Sequence, residues 1–238
     1  MISVANSRRR LLVGAAGLLL LPVPSFGQTS PGQTNPKATK KTAESVPVTA
    51  TEDLMREHGV LERILLIYEA GARRIGQGED IDPVVFTQAG ETMRDFIHDY
   101  HEKSEEEHIF PRFKKAGRMV ELVDVLLVQH QAGRKLTERI LEAAEKSRGN
   151  KEQRTAMIDA MQTSITLYRP HAAREDTNIF PTVRSLMTPN EFEELGETLE
   201  KAEVAKFGGD GFEKMTKRVE QIEKRIGTND LAQVTPKN

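Results

Sequence analysis

His101-Glu102-Lys103-Ser104-Glu105-Glu106-Glu107-His108-Ile109-Phe110-Pro111 and His171-Ala172-Ala173-Arg174-Glu175-Asp176-Thr177-Asn178-Ile179-Phe180-Pro181 are two copies of one pattern, H-x-x-x-E-[ED]-x-x-I-F-P, set 70 positions apart. A lone histidine upstream repeats too, with His58 and His130 lying 72 positions apart. The repeating unit is therefore a segment with one histidine, followed by a segment with a histidine and a glutamate four residues apart. Positions i and i+4 stack on one face of a helix, so His101 with Glu105, and His171 with Glu175, can each grip a common site.

The segments around these residues have helical periodicity. Thr49 with Glu52 is a capping-box start, and Leu54, His58, Leu61, Leu65 and Tyr68 follow as one stripe, closed by Gly76 and Gly78. A second helix begins near Pro83 and carries Phe86, Met93, Ile97, His101 and Glu105. A third carries Val123, Leu126, His130, Gly133, Thr137 and Ile140, and a fourth Met157, Met161, Ser164, Tyr168, His171 and Glu175. Short connections between them predict an all-α, up-down-up-down four-helix bundle over residues 49–187. Thr188-Pro189-Asn190-Glu191 starts a further capped helix, and another is expected from about Phe212 to Ile226. Residues 188–227 are thus accessory helices, packing on the bundle or forming a homodimer surface, and 228–238 a loose tail. The Ile-Phe-Pro ends are expected to cap the bundle and stop its helices.

Two such units packed antiparallel would aim four imidazoles and two carboxylates at the centre of the bundle. Burying them without a partner is costly, and coordination removes that cost. Six ligands exceed the needs of one tetrahedral zinc and suit two metals bridged by carboxylates. Imidazole with carboxylate suits iron, manganese or zinc. The chain has no cysteine, which excludes disulfides, thiol catalysis, iron–sulfur clusters and cysteine-based zinc sites.

The duplicated motif resembles the hemerythrin-like proteins, over roughly residues 50–185. That resemblance implies a non-heme di-iron site with His58, His101, Glu105, His130, His171 and Glu175 as ligands, the glutamates bridging. The chain departs from oxygen carriers at Leu126, where they place another histidine. Carriers also put the second carboxylate five residues after its histidine, which here is Asp176; the internal repeat favours Glu175. Four histidines and two carboxylates resemble the relatives that handle nitric oxide, peroxide or iron damage. His98, His108 and Asp176 are expected beside the ligands or at the surface. Tyr168, one turn before His171, is expected either to face a metal-bound species or to fill the core. The rest of the acidic run Glu102–Glu107 is read as a solvated face or as hydrogen-bond support for the ligands.

The N-terminus reads as an export signal over residues 1–27, with Arg8-Arg9-Arg10 ahead of an apolar run, Leu11 to Leu21, and small residues before Gly27. Paired arginines there resemble a twin-arginine signal, which implies a periplasmic or exported protein. The run is short for a membrane span, so membrane contact is expected only through an uncleaved signal. Residues 28–48, rich in Gln, Thr, Ser, Pro and Lys, read as a flexible linker. Cleavage at Gly27 would remove three arginines and no acid, leaving 31 basic against 36 acidic residues, so nucleic acid is not an expected partner. Three functions are compatible with these residues. One is reversible binding of oxygen or nitric oxide for sensing, storage or stress response. Another is di-iron oxidoreductase chemistry on nitric oxide, peroxide or ferrous iron, which needs an electron donor. The third is a bundle held together by zinc.

Overall fold

The computed structural model describes residues 48–236; the signal-like segment, the linker up to residue 47 and the last two positions lie outside the described residues. Every regular element among the described residues is helical, with no strand. No helix among them is long and apolar enough to cross a membrane.

Helix α1 (Ala50–Gly76) opens on the Thr49–Glu52 capping box: the Thr49 hydroxyl accepts from the Glu52 amide, and the Glu52 carboxylate accepts from the Thr49 amide at 2.8 Å. Leu54, His58, Leu61, Leu65 and Tyr68 are its buried stripe. Helix α2 (Val84–Thr92) continues without a break into wider π-helical turns, Met93–Glu102 and Glu105–Ile109, and then into α3 (Phe110–Ala116). A left-handed turn at Gly117 and Met119 leads into α4 (Val120–Lys146). Helix α5 (Lys151–Arg174) is capped by the Asn150 side chain and runs through a π-helical turn, Glu175–Ile179, into α6 (Phe180–Val183). Helix α7 (Pro189–Phe207) has its own Thr188–Glu191 capping box, and Asp210 caps α8 (Gly211–Ile226).

The prolines of the two Ile-Phe-Pro motifs do not stop these helices, contrary to the sequence-based expectation. In each copy the Phe amide donates five residues back, Phe110 to the Glu105 carbonyl and Phe180 to the Glu175 carbonyl. That π turn resets the register, so Pro111 and Pro181 fall in the first turn of the next α segment, where no amide donor is required. π turns are rare and concentrate at functional sites. Here one begins at each motif glutamate.

Helix α4 packs along α5, α5 along α1, and α2 with its π continuation touches both α1 and α4, so the motif-bearing helices form a closed ring of neighbours. Helix α8 lies on α1 and α2, adding Val219, Ile222 and Ile226 to the core, while Arg63 holds Glu223 through two nitrogens at 2.8 and 2.5 Å. Helix α7 covers part of α1. The core divides into two apolar clusters. The larger holds Leu61, Leu65, Tyr68, Phe86, Met93, Ile97, Leu136, Ile140, Met157, Met161 and Tyr168. The smaller is built from Leu54, Ile109, Phe110, Phe113, Val123, Leu126, Ile179 and Phe180, with Leu195 and Leu199 of α7. Along each helix of the ring the motif histidines and glutamates fall between the two clusters.

Phe180 is fully buried in the smaller cluster and stacks on the His58 ring at 5.5 Å. Phe180→Ala should cost about 3–5 kcal/mol in urea unfolding of the metal-free protein. A loss below about 1 kcal/mol would show that this cluster does not depend on the motif phenylalanine.

Candidate metal centre

The six motif residues converge. His58, His101, Glu105 and Glu175 each offer a ligand atom within 4.8 Å of the others, and His130, His171 and Glu175 form a second such group. His58 Nε2 lies 3.0 Å from His101 Nε2 and 3.3 Å from Glu175 Oε2. On the other side His171 Nε2 lies 3.1 Å from Glu175 Oε2, and His130 Nε2 lies 3.5 Å from Glu105 Oε2 and 3.8 Å from Glu175 Oε1. His101 Nε2 is 3.8 Å from Glu105 Oε2. The two carboxylates thus stand between one histidine pair, His58 with His101, and another, His130 with His171.

Every ring in the set is held from behind. His58 Nδ1 donates to Asp176 at 2.8 Å, His101 Nδ1 to Glu57 at 2.8 Å, His130 Nδ1 to Glu106 at 2.9 Å and His171 Nδ1 to Gln129 at 3.0 Å. A carboxylate or amide oxygen only accepts, so each Nδ1 carries a proton and each ring turns its Nε2 inward, free to ligate once any second proton has left. The pattern obeys the repeat. The residue before each lone histidine, Glu57 or Gln129, holds the motif histidine of its own copy. The residue after each motif glutamate, Glu106 or Asp176, holds the lone histidine of the other copy. The motif phenylalanines cross over in the same way: Phe180 stacks on His58 and Phe110 on His130, each at 5.5 Å and 27°.

Inside this shell the balance of hydrogen bonds does not close. Both oxygens of Glu105, both of Glu175 and His130 Nε2 are buried without a hydrogen-bond partner, and both carboxylates are 0% exposed. Unpartnered buried carboxylates are strongly destabilising unless a cation compensates them. Inward-facing nitrogen lone pairs and carboxylate oxygens are the donor set that compensation by a transition metal requires. The residues present therefore fit a metal pair.

Electrostatics in the metal-free protein show the same frustration. Burial pulls His58 down, but Asp176, bonded to its Nδ1, and the Glu175 carboxylate 3.3 Å from its Nε2 outweigh it and hold it at about 9. His130 also stands at about 9, raised against burial by Glu106 and Glu175. Burial, with the charge of His58 beside it, presses His101 down to about 3. Burial and the adjacent Glu175 raise Glu105 well above the usual carboxylate range. Burial also acts to raise Glu175, yet His171, His130 and His58 drive it well below that range.

The remaining sequence candidates sit around this shell. Asp176 lies on the outer side of His58, and Glu175, its neighbour in the chain, faces the imidazoles of His58, His130 and His171. His98 is buried between Thr137 at 2.8 Å and Glu102 at 3.1 Å. Tyr168 is buried with its ring edge-on to His171, and its hydroxyl donates to Glu102 at 2.9 Å. Gly133 makes room for that hydroxyl, since a Cβ there would lie 1.7 Å from it. His108 is partly exposed, with its Nε2 3.9 Å from Glu107. The acidic run is no uniformly solvated face, because Glu102 is buried and Glu106 holds His130. A third group, Glu102, Glu106 and His130, is bridged by Arg134, whose Nη2 lies 3.1 Å from Glu102 and 2.8 Å from Glu106. Sequence reasoning missed Glu57 and Gln129. Their signal was available as the residues immediately before the repeated lone histidines.

Metal must displace protons from His58 and His130, both held at about 9. Apparent affinity of the metal-free protein for zinc(II) should therefore rise with pH and level off above about 9, with protons released on uptake. Affinity unchanged between pH 6 and 9 in a chelator competition would contradict this charge assignment.

Residues 49–183 match the family model described as the hemerythrin HHE cation binding domain. The chain is also 42% identical over 237 residues to an uncharacterized protein of Mycobacterium bovis, covering 98% of this chain and 92% of that one. Uncharacterized proteins from two strains of Mycobacterium tuberculosis match with the same identity and coverage. No solved structure gives a significant match. The chain belongs to the hemerythrin HHE cation-binding family.

Proposed function

We propose that this chain is an exported non-heme di-iron protein, an up-down-up-down four-helix bundle whose metal pair reversibly binds oxygen or nitric oxide for sensing, storage or stress response. The observation that carries the reading is the set of inward imidazole Nε2 atoms facing four carboxylate oxygens that have no other hydrogen-bond partner. Iron bound there would supply open coordination positions and redox chemistry for a diatomic ligand. The chain's own residues do the rest. Glu57, Asp176, Glu106 and Gln129 fix the tautomer and aim of the four rings. Glu105 and Glu175 present two oxygens each between the histidine pairs, the placement a bridge needs. Phe110, Phe180 and the flanking apolar clusters keep bulk water out.

A groove of about 350 Å³ between α1 and α5 gives a small ligand a way in. Met55, Gly59, Leu61, Leu65, Ala172 and Ala173 line it, and it reaches His58, Tyr168 and Asp176. Glu62 and Arg169 line it as well, and the apolar part of its wall suits a weakly hydrated diatomic molecule. Gly59 faces open space, so a side chain there would enter the groove without a clash. Export by the twin-arginine route to the periplasm rests on Arg8-Arg9-Arg10 and the apolar run after them.

Two measurements test this reading. The double variant Glu105→Ala, Glu175→Ala should lose most bound metal while staying helical by circular dichroism; retention of two metals per chain would overturn the bridging assignment. Gly59→Phe should keep its metal and slow nitric oxide association several-fold in stopped flow, whereas an unchanged rate would exclude the α1–α5 groove as the entry path.

A further inference from the structure

The two halves of the site repeat one another in position but not in charge. Glu57 and Gln129 are equivalent positions, 72 apart, each immediately before a lone histidine and each accepting from the Nδ1 of a motif histidine. One is a carboxylate and the other a neutral amide. The position one turn after the lone histidine differs as well, with Glu62 in the first copy and Arg134 in the second. Arg134 places its guanidinium 2.8 Å from Glu106, the acceptor behind His130, while Glu62 is turned to Arg169 at 3.1 Å. Both differences have one sign: the acceptors behind His58 and His101 are the carboxylates Asp176 and Glu57, and those behind His130 and His171 are an arginine-bridged carboxylate and an amide.

A carboxylate behind Nδ1 makes an imidazole a stronger donor to metal, because it draws the Nδ1 proton and leaves more charge on the ring. An amide oxygen does this less, and a guanidinium on the acceptor opposes it. We infer that the two metal positions are inequivalent, and that Glu57 is the positioning residue that makes the His58–His101 position the tighter one, filled first and favouring the more highly charged ion. The His130–His171 position is the weaker and the more reducible of the two. This division rests on the proposed metal pair and adds an order of occupancy to it. The groove between α1 and α5 then lies beside His58, on the side of the tighter position.

Mutual repulsion between two cations also makes a second ion bind more weakly, so a difference between two binding steps proves nothing by itself. The effect of two variants separates the causes. Zinc(II), which does not change oxidation state, is titrated into the metal-free full chain against a chelator, and the two stepwise constants are read. In inequivalent positions, Glu57→Gln weakens the first step by about 10- to 100-fold, because it damages the position that fills first. Gln129→Glu strengthens the second step by about tenfold or more and leaves the first within about a factor of two. In equivalent positions the pattern inverts: Glu57→Gln spares the first step and weakens the second, and Gln129→Glu strengthens the first. That inverted pattern would overturn the inference while leaving the metal pair intact. Uptake of a single zinc by the unmodified chain would overturn both. Should Glu57→Gln fail to fold, Gln129→Glu decides alone, since it exchanges one half-buried acceptor for another of nearly the same size.

Discussion

Two carboxylates, Glu105 and Glu175, lie fully buried against four imidazoles, with no hydrogen bond to either. The leucine, isoleucine and phenylalanine around them carry no charge, and in the metal-free protein the charge set against them is that of the imidazoles. A pair of cations would turn this buried cluster into a cross-link among helices α1, α2 and its π continuation, α4 and α5. Much of the architecture is intelligible as support for that one layer. Apolar clusters stand on either side of it along the helices. Each of the four motif histidines is anchored at Nδ1, and the rings of His58 and His130 are stacked by phenylalanines from the opposite copy.

The π turns belong to the same problem. A histidine and a glutamate must point at one centre, and a few residues later the chain must bring Ile and Phe into the core and pass a proline. In an ordinary α-helix Pro111 would clash with the carbonyl four residues back. Starting a π turn at the ligand glutamate moves the carbonyl register by one residue just before the proline, and the helix resumes. Glutamate and proline in the motif are therefore coupled through the backbone, and the coupling occurs identically in both copies.

How much of this was legible follows from periodicity. The helical class, the capping boxes at Thr49 and Thr188, and the convergence of His58, His101, His130 and His171 with two glutamates can be read from spacing, because one helical turn puts i and i+4 together. Three features could not be read in that way. The fate of the prolines depends on a π register that has no simple periodic signature. The depth of Glu102 depends on partners from other helices, Tyr168 and Arg134, that no local pattern brings together. Glu57 and Gln129 look like ordinary helix residues until the crossing of α1 and α4 against their neighbours sets them behind the motif histidines. The repeat gave their positions but not their role, since a hydrogen bond to Nδ1 is a matter of geometry between helices.

The central claim is that this layer holds two irons. Protein purified natively, without added metal, should contain about two irons per chain and show near-ultraviolet charge-transfer absorption in air. Zinc in both positions, or less than one metal per chain, would contradict the account.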